Sequence, residues 1–452
     1  ARRRTILSYP RVDLDQGRPR VPSFYALEIF RAAEGSLPGF EELAKRAAGD
    51  RPARLGWPAP EHPADAIDEA EFDLAVLEKL VDEDPAATVG AAHYLLAANP
   101  HLGRTLRARA RRWLRRWTPN DGLIDPDADE RAALARHQLA ARSYSPTALQ
   151  NFAACPYRFF LQAIHRLAPR EEIDGIEVID PLTRGALFHE VQFEILTTLR
   201  NSGSLPITRE SLAEAHATLD KTLGAVAVEY HDRLAPAIER VWDDGIDSIR
   251  ADLREWLRRT AEDSTRWRPE RFELGFGLTD RAHADPASVA APIDLEIGVT
   301  LRGSIDLVER GADNSLRVTD HKTGRVRAER DVIIGGGKTL QPVLYALAAE
   351  RVLGRPIESG RLYYCTAAGG YEERVVTIDA AARAAMGDCV AIVGKALADG
   401  FLPAAPGERE CEYCDYRRVC GPYENTRVEY KTAGKNDAYR RLDNLRRLRE
   451  MP

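Results

Sequence analysis

Cys155 stands alone in this chain, whereas Cys411, Cys414 and Cys420 follow far downstream with the spacing C-x2-C-x5-C. Thiolates set this close point inward around one metal centre, and a distant fourth completes a four-thiolate site. Spacing alone suits zinc and an iron–sulfur cluster equally. Either would close a loop of about 255 residues, and ligation would offset several kcal/mol of chain entropy. Cys365 and Cys389 lie among apolar residues and read as core cysteines.

A second set lies between Cys155 and Cys411. It comprises His189, Asp306, the run Val318-Thr-Asp-His-Lys-Thr-Gly324 with Asp320 and Lys322, and then Gln341 and Tyr345. Phosphodiester hydrolysis needs a cation that neutralises the scissile phosphate and acidifies a water, and hard divalent ions take oxygen ligands. Asp306 and Asp320 can supply them from two strands joined by the turn Gly311-Ala-Asp-Asn314, and counting back from it sets Asp306 within about one residue of Asp320. Asp320 and Lys322, two apart, share one strand face, where the ammonium can orient water or offset developing charge. Gly335-Gly-Gly-Lys-Thr339 imitates a phosphate loop but fails its pattern, because Val332 stands where the first glycine is required.

The elements that position these residues are legible in outline. Residues 67–140 read as helical, and Arg104 to Trp117 carries seven arginines with Trp113 and Trp117 at i, i+4. That stretch reads either as a solvated helix or as one tracking phosphates through Arg107, Arg111 and Arg115. Ser145 caps a helix with Pro146 in its first turn; Pro156 ends it at Cys155 and starts another. A helix over 184–199 buries Leu187, Val191 and Ile195 and leaves His189 on another face. Residues 205–265 read as helical, with Trp242 and Trp256 as anchors. Alternation from Ile293 to Leu301 predicts one strand continuing through Ile305 and Leu307, with a return strand from Leu316. Gln341 and Tyr345 share a helix stopped by Gly354. Strands over 361–366 and 372–378 and a helix capped by Asp379 follow, which makes the whole an α/β sandwich.

A chain of 452 residues predicts two or three domains. Hydrophobic residues at 44% and charged residues at 30% describe an ordinary soluble protein, without a membrane span or signal peptide. Six cysteines without a regular framework argue against a secreted disulfide scaffold and for the cytoplasm. A net charge of −6 is not the footprint of a protein that coats nucleic acid, although a local basic groove is compatible with it. The start, Ala1-Arg-Arg-Arg4, lacks an initiator Met, so a fragment of a longer protein is expected.

Together the two residue sets resemble the RecB-type nucleases of the PD-(D/E)xK superfamily that carry an iron–sulfur cluster, and in particular the nuclease half of AddB-type helicase–nuclease subunits. The likeness covers roughly residues 141–424 and, more weakly, the first 45, through Ser8-Tyr-Pro-Arg11, Gly17-Arg18 and Pro22 to Glu28. It implies a restriction-endonuclease-like core with a mixed central sheet over 141–424, a helical region over 1–140 and a charged tail over 425–452. It further implies a [4Fe–4S] cluster on Cys155, Cys411, Cys414 and Cys420, and Mg²⁺ or Mn²⁺ held by His189, Asp306 and Asp320. Gln341 and Tyr345 would lie on a helix touching the catalytic lysine region and the DNA backbone. The implied activity is a DNA exonuclease degrading the 5′-ended strand in double-strand break repair and recombination, beside an AddA-like helicase–nuclease subunit. A free-standing RecB-like exonuclease of the CRISPR-associated type and a catalytically inactive DNA-end-binding module are the competing readings.

Overall fold

A computed structural model describes residues 24–37, 39, 42, 59–82, 89–124, 128–168, 178–279, 283–412, 414–420 and 423–452. Most of the N-terminal likeness, residues 1–23, lies outside these. The chain forms two compact units, 1–110 and 111–452. The first is helical, with α1 (Phe24–Glu34), α2 (Glu69–Asp82), α3 (Val89–Ala98) and the beginning of α4 (Pro100–Arg111).

The helix expected through Trp117 stops at Arg111. Beyond its end the carbonyls of Leu114 and Arg116 accept from the Lys431 ammonium at 2.8 Å each, which satisfies them outside a helical ladder. Trp117 is buried and donates its indole N–H to Ala438 O, while Trp113 faces solvent. Arg107, Arg111 and Arg115 are all exposed but do not share one helical face.

The second unit is an α/β sandwich. Helix α5 (Ala128–Ala135) and strand β1 (Ser143–Tyr144) lead to α6 (Pro146–Ala154), where the Ser145 side chain accepts from Ala148 N as expected of a cap. Cys155 separates α6 from α7 (Pro156–Phe159) in extended geometry, φ −163° and ψ 116°. Three long helices follow, α8 (Pro181–Asn201), α9 (Leu212–Leu234) and α10 (Glu239–Asp263). Trp242 and Trp256 are buried in α10, and each apolar side chain so buried contributes about 1.5–3 kcal/mol.

The central sheet has the order β2 (Trp267–Phe276), β5 (Gly303–Gly311), β6 (Leu316–Lys322), β7 (Ser359–Tyr364), β8 (Glu373–Thr377). Its neighbours are antiparallel except β6 and β7, which are joined by the crossover helix α11 (Gln341–Leu353). The single strand expected from Ile293 is broken. Glu296 (φ 57°) and Gly298 (φ 87°) reverse the chain between β3 (Ile293–Asp294) and β4 (Thr300–Leu301), and Leu295 N bonds Val299 O. Alternation survives a tight turn here, because the residues flanking it still face the same core.

The sheet divides two cores. Leu316, Val318, Val343 and Leu344 belong to one; Phe272, Leu307, Tyr363 and Trp256 belong to the other, beneath α8 to α10. Gly360 on β7 faces Pro342 O so closely that any side chain there would collide with that carbonyl, and this lets α11 lie tight on the sheet. Behind Thr319 the carboxylate of Glu309 takes Arg317 and Arg361 at 2.9–3.0 Å, a buried network binding β5, β6 and β7. Burial opposes its charge, but the two arginines hold the Glu309 carboxyl down to about 2.

After α12 (Ala380–Ala398), α13 (Arg417–Cys420) and α14 (Glu424–Thr432), the stretch expected as a charged tail folds back as α15 (Asp437–Arg440) and α16 (Asp443–Arg449). Its charges alternate with apolar residues, and Ala438, Leu445 and Leu448 complete the first core.

Candidate active site

The β5–β6 hairpin sets the acidic residues. Its ladder runs to Leu307 opposite Thr319 and goes no further. Beyond it Asp306 substitutes its side chain for a backbone partner: Oδ2 accepts from His321 N at 2.6 Å. Asp320 and Lys322 project from the same face of β6, and Lys322 Nζ lies 2.6 Å from Asp320 Oδ2. Gln341, first residue of α11, donates Nε2 to Asp320 Oδ1 at 3.1 Å. His189 reaches in from α8, its Nδ1 3.5 Å from Asp306 Oδ2. Tyr345 is buried one helical turn below Gln341, its ring edge against Phe276. Gly303 gives that ring room, since a Cβ there would come within 3.2 Å of it. All six residues of the second set therefore meet in one place.

The electrostatics follow from burial. The Asp306 carboxyl is pushed well above the ordinary range, first by burial and then by Asp320 and Glu273. Burial alone would lower the Lys322 ammonium, but Asp320 and Asp306 more than offset it and hold it above its usual value. Burial, then Asp320 and Asp306, raise the Tyr345 hydroxyl, which keeps it neutral. A cation among these acids would relieve the repulsion that the carboxylates now share.

Two participants were not among the expected residues. His321 is 3% exposed and neutral, lowered by burial and by His189. With His189 and Asp306 it forms the group whose ligand atoms lie within 4.8 Å of one another among the described residues. The expected third ligand, Asp320, instead gives its two oxygens to Lys322 and Gln341. Because His321 stands between Asp320 and Lys322, strand alternation hides it from a reading of one face. Glu273 is buried on β2, accepts from Ser304 Oγ at 2.7 Å, and holds a positive φ of 51°, a costly conformation for a side chain of its kind. No sequence pattern marks it, because β2 itself was not recognised.

The four cysteines form a separate constellation. Cys155, Cys411, Cys414 and Cys420 line one cavity with Tyr157 and Arg417. Arg449 ties the backbone beside Cys155 by donating to the carbonyls of Ala153, Ala154 and Ala405 at 2.7–3.1 Å. Arg112 donates to Cys420 O at 2.8 Å and pairs with Glu424, within a buried set that includes Asp121, Arg427 and Lys431. Burial raises the thiols of Cys155, Cys411 and Cys420, so ligation is what would ionise them. Four sulfurs on one cavity suit a four-thiolate centre. Cys365 and Cys389 are buried elsewhere in the two cores.

Known proteins resemble this chain in sequence. Three relatives are each named as a subunit of an ATP-dependent helicase/deoxyribonuclease. That of Carboxydothermus hydrogenoformans is 26% identical over 356 residues, 77% of this chain and 29% of its own length. Those of Lacticaseibacillus casei and Lacticaseibacillus paracasei are 28% and 27% identical over 258 and 231 residues, 54% and 49% of this chain and 20% and 19% of theirs. The chain thus matches less than a third of the length of these relatives. The family model for the PD-(D/E)XK nuclease superfamily spans residues 143–421, from β1 through the last clustered cysteine, and with Asp306, Asp320 and Lys322 assembled on its central hairpin the chain belongs to that superfamily.

Proposed function

We propose that this chain is the nuclease-bearing part of a helicase–nuclease subunit and hydrolyses DNA phosphodiesters with a divalent cation, Mg²⁺ or Mn²⁺. The observation that carries this is the array in which Lys322 and Gln341 grip Asp320 beside the His189–Asp306 pair. A divalent cation bound there supplies charge neutralisation and an acidified water. Asp306 and His189 hold it, with Asp320 or His321 as the further ligand. Lys322 sits over the scissile phosphate and offsets charge as the bond breaks. Gln341 fixes the Asp320 carboxylate, and Tyr345 packs beneath it as a neutral hydroxyl.

The relatives' names and the resemblance support a DNA substrate presented by a helicase partner of the AddA type. The 5′-ended strand, a role in double-strand break repair and a cytoplasmic setting are proposed on the same ground. The cysteine cavity is assigned to a [4Fe–4S] cluster that staples Cys155 to the C-terminal trio. The nuclease domain is taken as 141–424, with 1–140 as a helical lead-in and 425–452 as an extension. No helix among the described residues is long and apolar enough to cross a membrane.

The test is a metal titration. Cleavage of single-stranded and frayed DNA should need Mg²⁺ and stop with chelator. Asp306→Asn should raise the Mg²⁺ concentration for half-maximal rate by about tenfold, since an amide oxygen ligates without charge. Cleavage that survives chelator would contradict the reading.

A further inference from the structure

A second concentration of charge lies away from the carboxylates and cysteines. The segment after α4 and the α14–α15 region enclose an open cleft lined by Arg115, Arg116, Arg440 and Arg441, with Asp437 as the acidic residue in its wall. Four positive side chains against one negative leave an excess of three, in a chain whose net charge is −6. The walls are fixed to each other. Trp117 Nε1 donates to Ala438 O at 3.0 Å, and Lys431 ties Leu114 and Arg116 from below.

Arg440 pairs with Asp437. Among the described residues no carboxylate lies within 4.0 Å of Arg115, Arg116 or Arg441, so these three charges face solvent or rings. Arg115 lies 4.9 Å from the centroid of Tyr430, and Arg441 lies 5.1 Å from that of Phe401. Beside Arg115, Trp113 and Tyr430 are each 43% exposed, with ring centroids 6.2 Å apart.

Three unpaired guanidinium groups in the cleft, one of them beside two half-exposed rings at its edge, match a ligand that offers anionic oxygens and flat faces together. A single strand pairs the two at every nucleotide, whereas an acidic polypeptide does so only where an aromatic side chain interrupts its carboxylates. We propose that this cleft holds single-stranded nucleic acid, its phosphates on Arg115, Arg116 and Arg441 and its bases stacked on Trp113 and Tyr430, apart from the cleavage site. The identity of the ligand as DNA rests on the nuclease reading; the cleft's affinity for a strand does not.

The test uses the full chain in chelator, with a labelled oligothymidylate of about 20 nucleotides, followed by fluorescence anisotropy. Replacing Arg115, Arg116 and Arg441 together by Gln should weaken binding by about tenfold or more. It should also flatten the slope of log affinity against log salt by about 2, at roughly 0.7 per lost phosphate contact. Replacing Trp113 and Tyr430 by Ala should weaken binding without altering the slope. If the triple variant fails to fold, Arg116→Gln alone, at an exposed site, should still lower the slope by about 0.7.

An unchanged slope overturns the proposal. So does equal competition by poly-glutamate with no effect of the ring substitutions, which would assign the cleft to an acidic polypeptide. Hydrolysis of bis-p-nitrophenyl phosphate separates the two readings. A parent that binds strands but hydrolyses nothing defeats the nuclease reading alone, whereas arginine variants that keep full hydrolysis and full strand binding defeat this one.

Discussion

The carboxylate site and the cysteine cavity are held in place by opposite means. Asp306, Asp320 and Lys322 stand on paired strands, Gln341 and Tyr345 on a helix pressed to the sheet by Gly360, and the Glu309–Arg317–Arg361 network locks the same strands from behind. The cysteines stand where regular structure stops: Cys155 between two helices, Cys411 and Cys414 in irregular backbone, Cys420 at the end of a four-residue helix. The first site is held by the fold itself, and the buried Asp306 carboxylate weighs against stability. The second draws together distant segments, and the proposed cluster would add rigidity that regular structure does not supply there.

The largest expected effect breaks this contrast directly. Cys155→Ser should lower the stability of the anaerobically purified protein by about 3 kcal/mol or more, as read by the denaturant midpoint, because it releases one end of a long closed loop. Asp306→Asn should leave the midpoint unchanged or raised, since burial and Asp320 both oppose that carboxylate's charge. Equal losses in both would mean that the two sites are held alike.

A second effect sharpens the division within the carboxylate site. Lys322→Ala should slow cleavage by about 10²–10³-fold, while the Mg²⁺ concentration for half-maximal rate shifts little, because in the proposed reaction the ammonium acts on the phosphate. A large shift in metal requirement with little change in limiting rate would make Lys322 an organiser of the ion.

The smallest effect concerns the buried network. Glu309 is depressed to about 2 in the folded protein, so its contribution is complete above its ordinary value near 4.5 and is lost as pH falls through about 2. The parent's melting midpoint should therefore fall more steeply between these limits than that of Glu309→Gln. Parallel curves would remove the network as a support of the strands.

Local rules that act within a few residues carried the readings that held. Ser145-Pro146 starts α6, Pro156 restarts the chain after Cys155, Gly311 to Asn314 turns the hairpin, and two-residue spacing puts Asp320 and Lys322 on one face. What escaped needed long-range information. Strand β2 carries Arg268, Pro269, Glu270 and Arg271, which erase alternation; as an edge strand with an irregularity after Pro269 it tolerates them. Without β2, Glu273 had no place. His321 carries no local signal because its place beside His189 comes from α8, more than a hundred residues earlier in the chain. The chain from Arg112 to Trp117 is held instead by partners from the far end of the sequence, Lys431 on two of its carbonyls and Ala438 on the Trp117 indole.

The most direct test is the rate of Mg²⁺-dependent cleavage of single-stranded DNA by Asp320→Ala. It should be measured beside the parent, with a helicase partner supplied and the fold and cluster absorbance checked in the same preparations. A loss of about 10³-fold or more is expected, with the fold and the absorbance of the proposed cluster unchanged, because Asp320 is the carboxylate that Lys322 and Gln341 both hold. Cleavage at the parent's rate would place the chemistry elsewhere and contradict the account.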